Sequence, residues 1–327
     1  MDKLLVSVII PVHNTEALLD RTLGSVAVQT LRDIEIICVD DGSTDGSLAI
    51  LRSWEMRDKR VRVIAFECNR GVSAARNAGF DASSGAYVYY LDSDDWIDPG
   101  YLEAMHTKAL ETGQDVVVNA NYIQEFENGS ESAPSGNFSF IEGEGYYPAA
   151  TVQTLFPPVI WARLYKRDYL AMNDVRFPDI RGGAEDICFV GLAEMLQERS
   201  YVFRGPFLHY WQREGTLIHQ KNLSYNSIRS FKLLNDELTR RGIDTEEIRL
   251  FYAGPIIVDS EGKFEFMKGF FSSIEPQVRR HPDLYVAHDM FLFDAVTSCP
   301  DYAAFLARYN PNIALAFIRS RLRPNPR

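Results

Sequence analysis

The sequence predicts an α/β fold, a mostly parallel sheet flanked by helices, followed by a smaller and mainly helical C-terminal region. Two observations carry this. Short apolar, β-rich runs alternate with helical patterns through the first 123 residues, as expected for strands covered on both faces. The unusual polar residues fall where those runs end, and in such sheets the carboxyl ends of the strands are where ligands sit.

Each element has its own signal. LLVSVIIPV (4–12) is an apolar run closed by a proline and turn residues, and ALLDRTLGSVAVQ (17–29) repeats apolar residues at helical spacing. IEIICVD (34–40) is a second buried strand. The turn GSTDGS leads into a helix over SLAILRSWEM, with Asp45 or Ser47 near its N-cap. VRVIAF (61–66), SAARNAGFDAS (73–83) and AYVYYL (86–91) read as strand, helix and strand. PGYLEAMHTKALETG (99–113) is a helix with proline at its start and glycine at its end, and DVVVNANYI (115–123) is a single fifth strand. Residues 124–148 are rich in Gly, Ser, Asn and Glu and read as an irregular excursion or weak hairpin. Aromatic-rich pieces run to residue 225, and helical patterns dominate from 226 to 242 and again after about 284. The predicted division is a domain over 1–225 and a helical region over 226–327.

The chain has 327 residues, 46% of them hydrophobic, enough for a real core. Its formal charge of −11 makes it a poor binder of phosphate backbones, so nucleic acid is not an expected partner. Cys38, Cys68, Cys188 and Cys299 are widely spaced and read as buried free thiols, which fits a reducing compartment. The first apolar run is short and lacks a basic leader, and no run reaches the roughly 20 apolar residues of a spanning helix. The expected location is therefore cytoplasmic. IALAFIRSRLRPNPR (313–327) sets apolar residues beside four arginines. It reads either as a basic amphipathic contact with the inner face of a membrane or as a docked final helix with a solvated tail.

Five constellations carry candidate chemistry. VDDGSTD (39–45) puts Asp40 and Asp41 at a strand end before Gly42. It suits either a carboxylate accepting from a ribose or a base, or an ordinary turn and helix cap. YLDSDDWID (90–98) puts three carboxylates directly after a buried strand, a repulsive arrangement unless a cation is present. Asp92 and Asp94 are separated by one residue, so in an extended segment they share a side, and hard oxygen donors suit Mg²⁺ or Mn²⁺. Arg70 and Arg76 in NRGVSAARNAG (69–79) could face a nucleotide or pair locally with an acid. Glu185 and Asp186 in RGGAEDICF (181–189) could supply a general base or simply acidify a helix start. FLHYWQREGTLIHQ (207–220) gathers His209, Arg213 and His219, candidates for metal or diphosphate contact on what is otherwise an aromatic strand.

In order, SVIIPVHNTEALL (7–19), VDDGSTD, NRGVSAARNAG, YLDSDDWI and GAEDICF resemble the inverting family 2 glycosyltransferases, which have the GT-A fold. The resemblance covers about the first 225 residues. It implies that Pro11, Val12, His13 and Asn14, with Asp40, Asp41 and Arg76, cradle a nucleotide, and that Asp92, Ser93 and Arg213 meet the rest of a nucleotide-sugar donor. It implies Mn²⁺ or Mg²⁺ on Asp94, with His219 favoured over His209 as a further ligand. It gives Asp186 the role of base, with Glu185 beside it. Many members carry Tyr-Asn where this chain has His13-Asn14. The implied partners are a donor, most commonly a UDP-sugar, and a saccharide or lipid-linked saccharide acceptor, with residues 226–327 open to acceptor, membrane or homo-oligomer contacts. Two rival readings are a sugar nucleotidyltransferase and a non-catalytic nucleotide-sugar-binding protein. The first is disfavoured because VHNTEALLD has no Gly or Lys to hold a triphosphate. The second is disfavoured because the acidic pairs are intact.

Overall fold

The computed structural model describes residues 4–131, 143–155, 158–212, 223–245, 261–282 and 287–308. The chain divides into two compact units, one of Met1–Arg181 with Glu185–Thr216 and the other of Gly182–Ala184 with Leu217–Arg327.

The first unit is the expected α/β fold. Strands β1 (Val6–Val12), β2 (Ile34–Asp40), β3 (Val61–Ala65) and β4 (Tyr87–Tyr90) are joined through helices α1 (Glu16–Ala27), α2 (Ser47–Arg57) and α3 (Val72–Ala82). β1 pairs in parallel with both β2 and β4, and β2 with β3. After them come β5 (Trp96–Ile97), α4 (Tyr101–Thr112), β6 (Val116–Asn119), β7 (Tyr122–Phe126), β8 (Gly145–Pro148) and α5 (Ala149–Leu155). β9 (Arg163–Lys166), α6 (Arg167–Met172), α7 (Glu185–Met195), β10 (Arg199–Phe203) and β11 (Leu208–Gln212) complete the unit. The main sheet has eight strands in the order β3-β2-β1-β4-β9-β6-β10-β8, and a second sheet has the order β5-β11-β7. β9 runs antiparallel to both neighbours, and edge strand β8 is antiparallel to β10.

All seven residues of β1 are buried, which is why that run carries no polar alternation. Pro11 lies beyond Ile9, the last β1 residue paired with β4, so its missing N–H falls where β1 has only β2 beside it. Helix α4 ends as its glycine predicts, with Gly113 left-handed at φ 66°. At the start of α2, Asp45 Oδ1 accepts from Ser47 N, while Asp45 Oδ2 and Glu16 Oε2 accept from Glu16 N and Gly46 N. The two helix starts are thereby laced together.

One expectation is corrected. The run 115–123 is not a single strand but β6 and β7, which belong to different sheets. Asn119 and Asn121 make the bend. Buried Asn119 accepts from Asn121 N at 3.1 Å and from Gly205 N at 3.0 Å and donates to Pro206 O at 2.9 Å. Asn121 Nδ2 donates to Gly205 O at 2.6 Å. Side-chain amides thus replace ladder bonds at the corner where β10 passes into β11. Tyr146 and Tyr147 of β8 and the bridge between Glu125 and Glu131 show that parts of 124–148 are ordered pairings. Cys38, Cys188 and Cys299 are buried free thiols as expected, whereas Cys68 is exposed.

The second unit contains α8 (Leu223–Arg240), α9 (Glu261–Arg280), α10 (Ala287–Ser298) and α11 (Tyr302–Arg308). The sequence reading did not place α9, whose pattern is interrupted by Gly262, Gly269 and Pro276. Its core face is Phe264, Met267, Phe270, Phe271, Ile274 and Val278, a helical stripe. Among the described residues no helix is long and apolar enough to cross a membrane. The basic segment 313–327 lies outside the described residues.

Replacing Asn119 by Ala strips partners from two partly buried N–H groups and a carbonyl. The expected loss is about 1–3 kcal/mol, read by urea unfolding of the parent and the variant.

Candidate active site

Because β1, β2 and β4 run parallel, their carboxyl ends share one edge of the sheet. Val12 pairs with Asp40, Asp41 N donates to Val12 O at 2.7 Å, and Leu91 N donates to Ile9 O at 3.0 Å. Pro11 and Val12, expected in a cradling loop, are instead the last two residues of β1, with buried side chains. The exposed loop residues are His13 and Asn14, and Asn14 is left-handed at φ 54°. Their polar groups knit this loop to the next one. His13 Nδ1 lies 2.8 Å from Asp41 O, Asn14 N donates to Ser43 Oγ at 3.1 Å, and Asn14 Oδ1 accepts from Thr44 N at 2.8 Å.

Asp41 turns its carboxylate to the third loop, accepting from Arg70 N at 2.6 Å and Gly71 N at 2.9 Å. Gly42, at φ +64°, lies so close to that loop that a Cβ would sit 2.5 Å from the Cys68 carbonyl carbon. Asp40 is 1% exposed. Its Oδ2 accepts from Ser43 N at 3.3 Å, and its Oδ1 has no partner among the described residues.

The acidic segment after β4 alternates in exposure. Asp92, Asp94, Trp96 and Asp98 are partly exposed, and Ser93, Asp95 and Ile97 are buried. The buried side is tied to α1. Thr15 Oγ1 donates to Ser93 Oγ at 3.1 Å, Thr22 Oγ1 to Ser93 O at 3.0 Å, and Gln29 Nε2 to Asp98 O at 2.7 Å. Ser93, expected to meet the donor, is buried and bonded to α1 and to Thr15 just before it. Arg21, not singled out from sequence, donates to Asp94 O at 3.3 Å and stacks 3.5 Å over the Trp96 ring and 4.6 Å over that of Trp211. Trp96 also stacks with His209, at 5.0 Å and 7°.

His209 Nδ1 lies 2.5 Å from Glu125 Oε1 and Nε2 3.2 Å from Asp98 Oδ1, so both ring nitrogens face carboxylates within the small sheet. His209, weighed as an alternative metal ligand, is engaged here by Glu125 and Asp98. Arg213 and His219 lie outside the described residues.

Asp95 is fully buried. Trp211 N donates to its Oδ1 at 2.9 Å, and its Oδ2 has no partner among the described residues. Burial, reinforced by the charges of Asp94 and Asp92, raises the Asp95 carboxyl well above the usual range. This donor set fits a hard divalent cation. The acids repel one another, one buried oxygen is unsatisfied, and Mg²⁺-like ions are commonly held by one or two carboxylates with substrate phosphates completing the shell. Among the described residues no group of three or more His, Cys, Asp or Glu side chains encloses a cation site by itself.

Arg76 reaches this segment from α3. Its side chain is 4% exposed. Nη2 donates to Asp92 Oδ1 at 2.8 Å, and Nη1 donates to Glu185 Oε1 at 2.6 Å and to Asp186 Oδ1 at 2.8 Å. The guanidinium expected to face a nucleotide thus joins three acids. Glu185 is buried behind Asp186, whose side chain keeps 23% of its surface exposed. Burial pushes the Asp186 carboxyl up to about 8. Arg76 opposes that rise, while Glu185 and Asp92 add to it. A partly exposed carboxyl poised near neutrality has the properties of a general base.

The sequence matches the model of the family described as "Glycosyl transferase family 2" over residues 7–171, half of the chain. The chain belongs to glycosyl transferase family 2. Among this family-2 chain's curated relatives is a putative glycosyltransferase, EpsH of Bacillus subtilis, 33% identical over 226 residues, covering 67% of this chain and 64% of EpsH. Another is the poly(ribitol-phosphate) β-glucosyltransferase of Bacillus spizizenii, 33% identical over 188 residues, covering 56% of this chain and 28% of the relative. The chain thus spans less than two thirds of these relatives' length. Among solved structures, S. aureus TarS 1–349 in complex with UDP-GlcNAc superposes with a TM-score of 0.74 at 20% identity, over 97% of this chain and 92% of that one. That likeness supports the GT-A-like fold.

Replacing Asp41 by Ala leaves the N–H groups of Arg70 and Gly71 without their acceptor. The expected cost is about 1–3 kcal/mol, measured by urea unfolding, with faster amide exchange at residues 69–72.

Proposed function

We propose that this protein transfers a sugar from a nucleoside diphosphate sugar, most readily a UDP-sugar, to an acceptor hydroxyl with inversion, in the building of a surface polysaccharide or related glycoconjugate. The observation that carries the reading is the convergence on one sheet edge of Asp92 and Asp94 with Asp186, a carboxyl held near neutrality. EpsH and the poly(ribitol-phosphate) β-glucosyltransferase support the general setting, and the TarS complex supports a UDP-sugar as the first donor to test.

The loops at His13–Asn14 and Asp40–Asp41 form the rim against which the nucleoside lies. Asp94, with the unsatisfied oxygen of Asp95 behind it, would hold Mn²⁺ or Mg²⁺. Such an ion supplies Lewis-acid stabilisation of the departing diphosphate. Asp186 accepts the proton of the acceptor hydroxyl, whose oxygen attacks the anomeric carbon from the face opposite the diphosphate. One displacement inverts the centre, so no covalent sugar–enzyme intermediate forms, in contrast to retaining glycosidases. Arg213 would meet the diphosphate, and residues 226–327 would contact an acceptor, a membrane surface or a second copy.

The test is binding and slow hydrolysis of UDP-, GDP-, CDP- and dTDP-sugars with Mn²⁺ or chelator. One donor is expected to bind only with metal. Asp94→Ala should lose that binding, whereas Asp186→Asn should retain it and lose turnover by at least about 10²-fold, as expected for removal of a general base. Because the base works only when ionised, kcat/KM should rise with pH and level off above about 8. Failure of every sugar nucleotide to bind with metal present would contradict the reading.

A further inference from the structure

We propose that Arg76 is a positioning residue that couples the donor side of the site to the base, one guanidinium nitrogen holding Asp92 and the other holding Glu185 and Asp186. The proposal rests on the transferase reading and assigns Arg76 a task within that site.

Three observations separate this from an ordinary buried ion pair. First, the partners come from distant segments, Asp92 from the end of β4 and Glu185–Asp186 from the start of α7, and no other described hydrogen bond joins Asp92 to Asp186. Second, the same unit contains a buried arginine of the ordinary kind. Arg163 Nε donates to Glu194 Oε1 at 2.7 Å, and both side chains are 0% exposed. Arg76 is as buried as a structural arginine, yet Asp92 and Asp186 keep 29% and 23% of their side-chain surface open. It grips working carboxylates from behind. Third, Glu185 is 4% exposed, shares Nη1 with Asp186, and leaves its Oε2 without a partner among the described residues. Glu185 cannot meet an acceptor from there. It orients the guanidinium and sets the charge beside the base.

The planar fork suits this task. Its two terminal nitrogens point in fixed directions, so a shift of Asp92 on donor binding is carried to Asp186, whereas a lysine offers one point charge and cannot span both. The charged and titratable groups facing Asp186 are Arg76 from α3, Glu185 from its own helix, Asp92 from the segment after β4, and Tyr165 from β9. The Ile160 backbone N–H also reaches it. Arg76 favours the ionised base, and Glu185 and Asp92 disfavour it.

The experiment is the pH dependence of UDP-sugar hydrolysis with Mn²⁺, water serving as acceptor, for the parent, Arg76→Lys, Arg76→Met and Glu185→Gln, with donor affinity measured by calorimetry. In Arg76→Met the acid limb should move up by about one pH unit or more, lowering the rate at pH 7 about tenfold. In Glu185→Gln it should move down, and Arg76→Lys should fall between the parent and Arg76→Met. Shifts of opposite sign from the two sites are what a merely structural role does not produce. Slower turnover with an unmoved limb in both Glu185→Gln and Arg76→Lys would overturn the proposal, and these two variants decide it if Arg76→Met does not fold. A parent that turns over no sugar nucleotide would instead sink the transferase reading and this inference with it.

Discussion

The arrangement of this site depends on one buried cation. Three carboxylates converge at the carboxyl edge of the main sheet, and the Arg76 guanidinium sits among them with 4% of its side chain exposed. Without a cation, like charges at this separation in a poorly solvated place would retain protons or push apart. With it, segments that are far apart in sequence are held in register before any ligand arrives. The arginine is not strong enough to leave every acid fully ionised: Asp186 is still held near neutrality, and Asp95, on the far side of the acidic segment, has a buried oxygen with nothing to accept among the described residues.

The rest of the unit makes that arrangement stiff. α1 anchors the buried side of the acidic segment through Thr15, Thr22 and Gln29. Arg21 and His209 both stack against the Trp96 ring, which could otherwise be read as a sugar platform. Asp41 closes the loop after β3 with two short hydrogen bonds. Groups that must act on charge developing in a reaction are most effective when already fixed, because no reorganisation is then needed. The partly exposed faces of Asp92, Asp94 and Asp186 are what this frame leaves open.

Much of this was legible in the sequence, for identifiable reasons. Buried parallel strands are uniformly apolar, so the runs ending at Val12, Asp40 and Tyr90 announced themselves, and the acids after them marked the edge. Asp92 and Asp94 are both partly exposed, but the segment that carries them is a turn closed by Asp95 N donating to Asp92 O and not the extended run that the spacing argument assumed. What stayed hidden was set by tertiary partners. No local pattern distinguishes an arginine that meets a nucleotide from one that clamps three acids, and Arg21 lies in an ordinary amphipathic helix. The break at Asn119–Asn121 was missed because Val-rich flanks on either side look like one strand. α9 was missed because Gly262, Gly269 and Pro276 interrupt its stripe. The partners of His209, Glu125 and Asp98, were not legible because they are 84 and 111 residues away in sequence.

The central claim is that Arg76 holds these acids in place and eases the ionisation of Asp186, and the most direct test is stability against pH. All four tryptophans, at 54, 96, 161 and 211, lie in the first unit, so their fluorescence reports its unfolding. In the folded parent Asp186 keeps a proton that the unfolded chain has released, so its contribution to stability declines as pH rises and stops declining above about 8. Without the arginine Asp186 holds its proton to still higher pH, and the decline continues past 8. Urea unfolding of Arg76→Met and the parent from pH 6 to pH 10 should therefore show a gap that is level up to about pH 8 and widens above it, by up to about 1.4 kcal/mol per unit. A gap that stays constant across that range would contradict the account, because it would mean that Arg76 contributes packing alone.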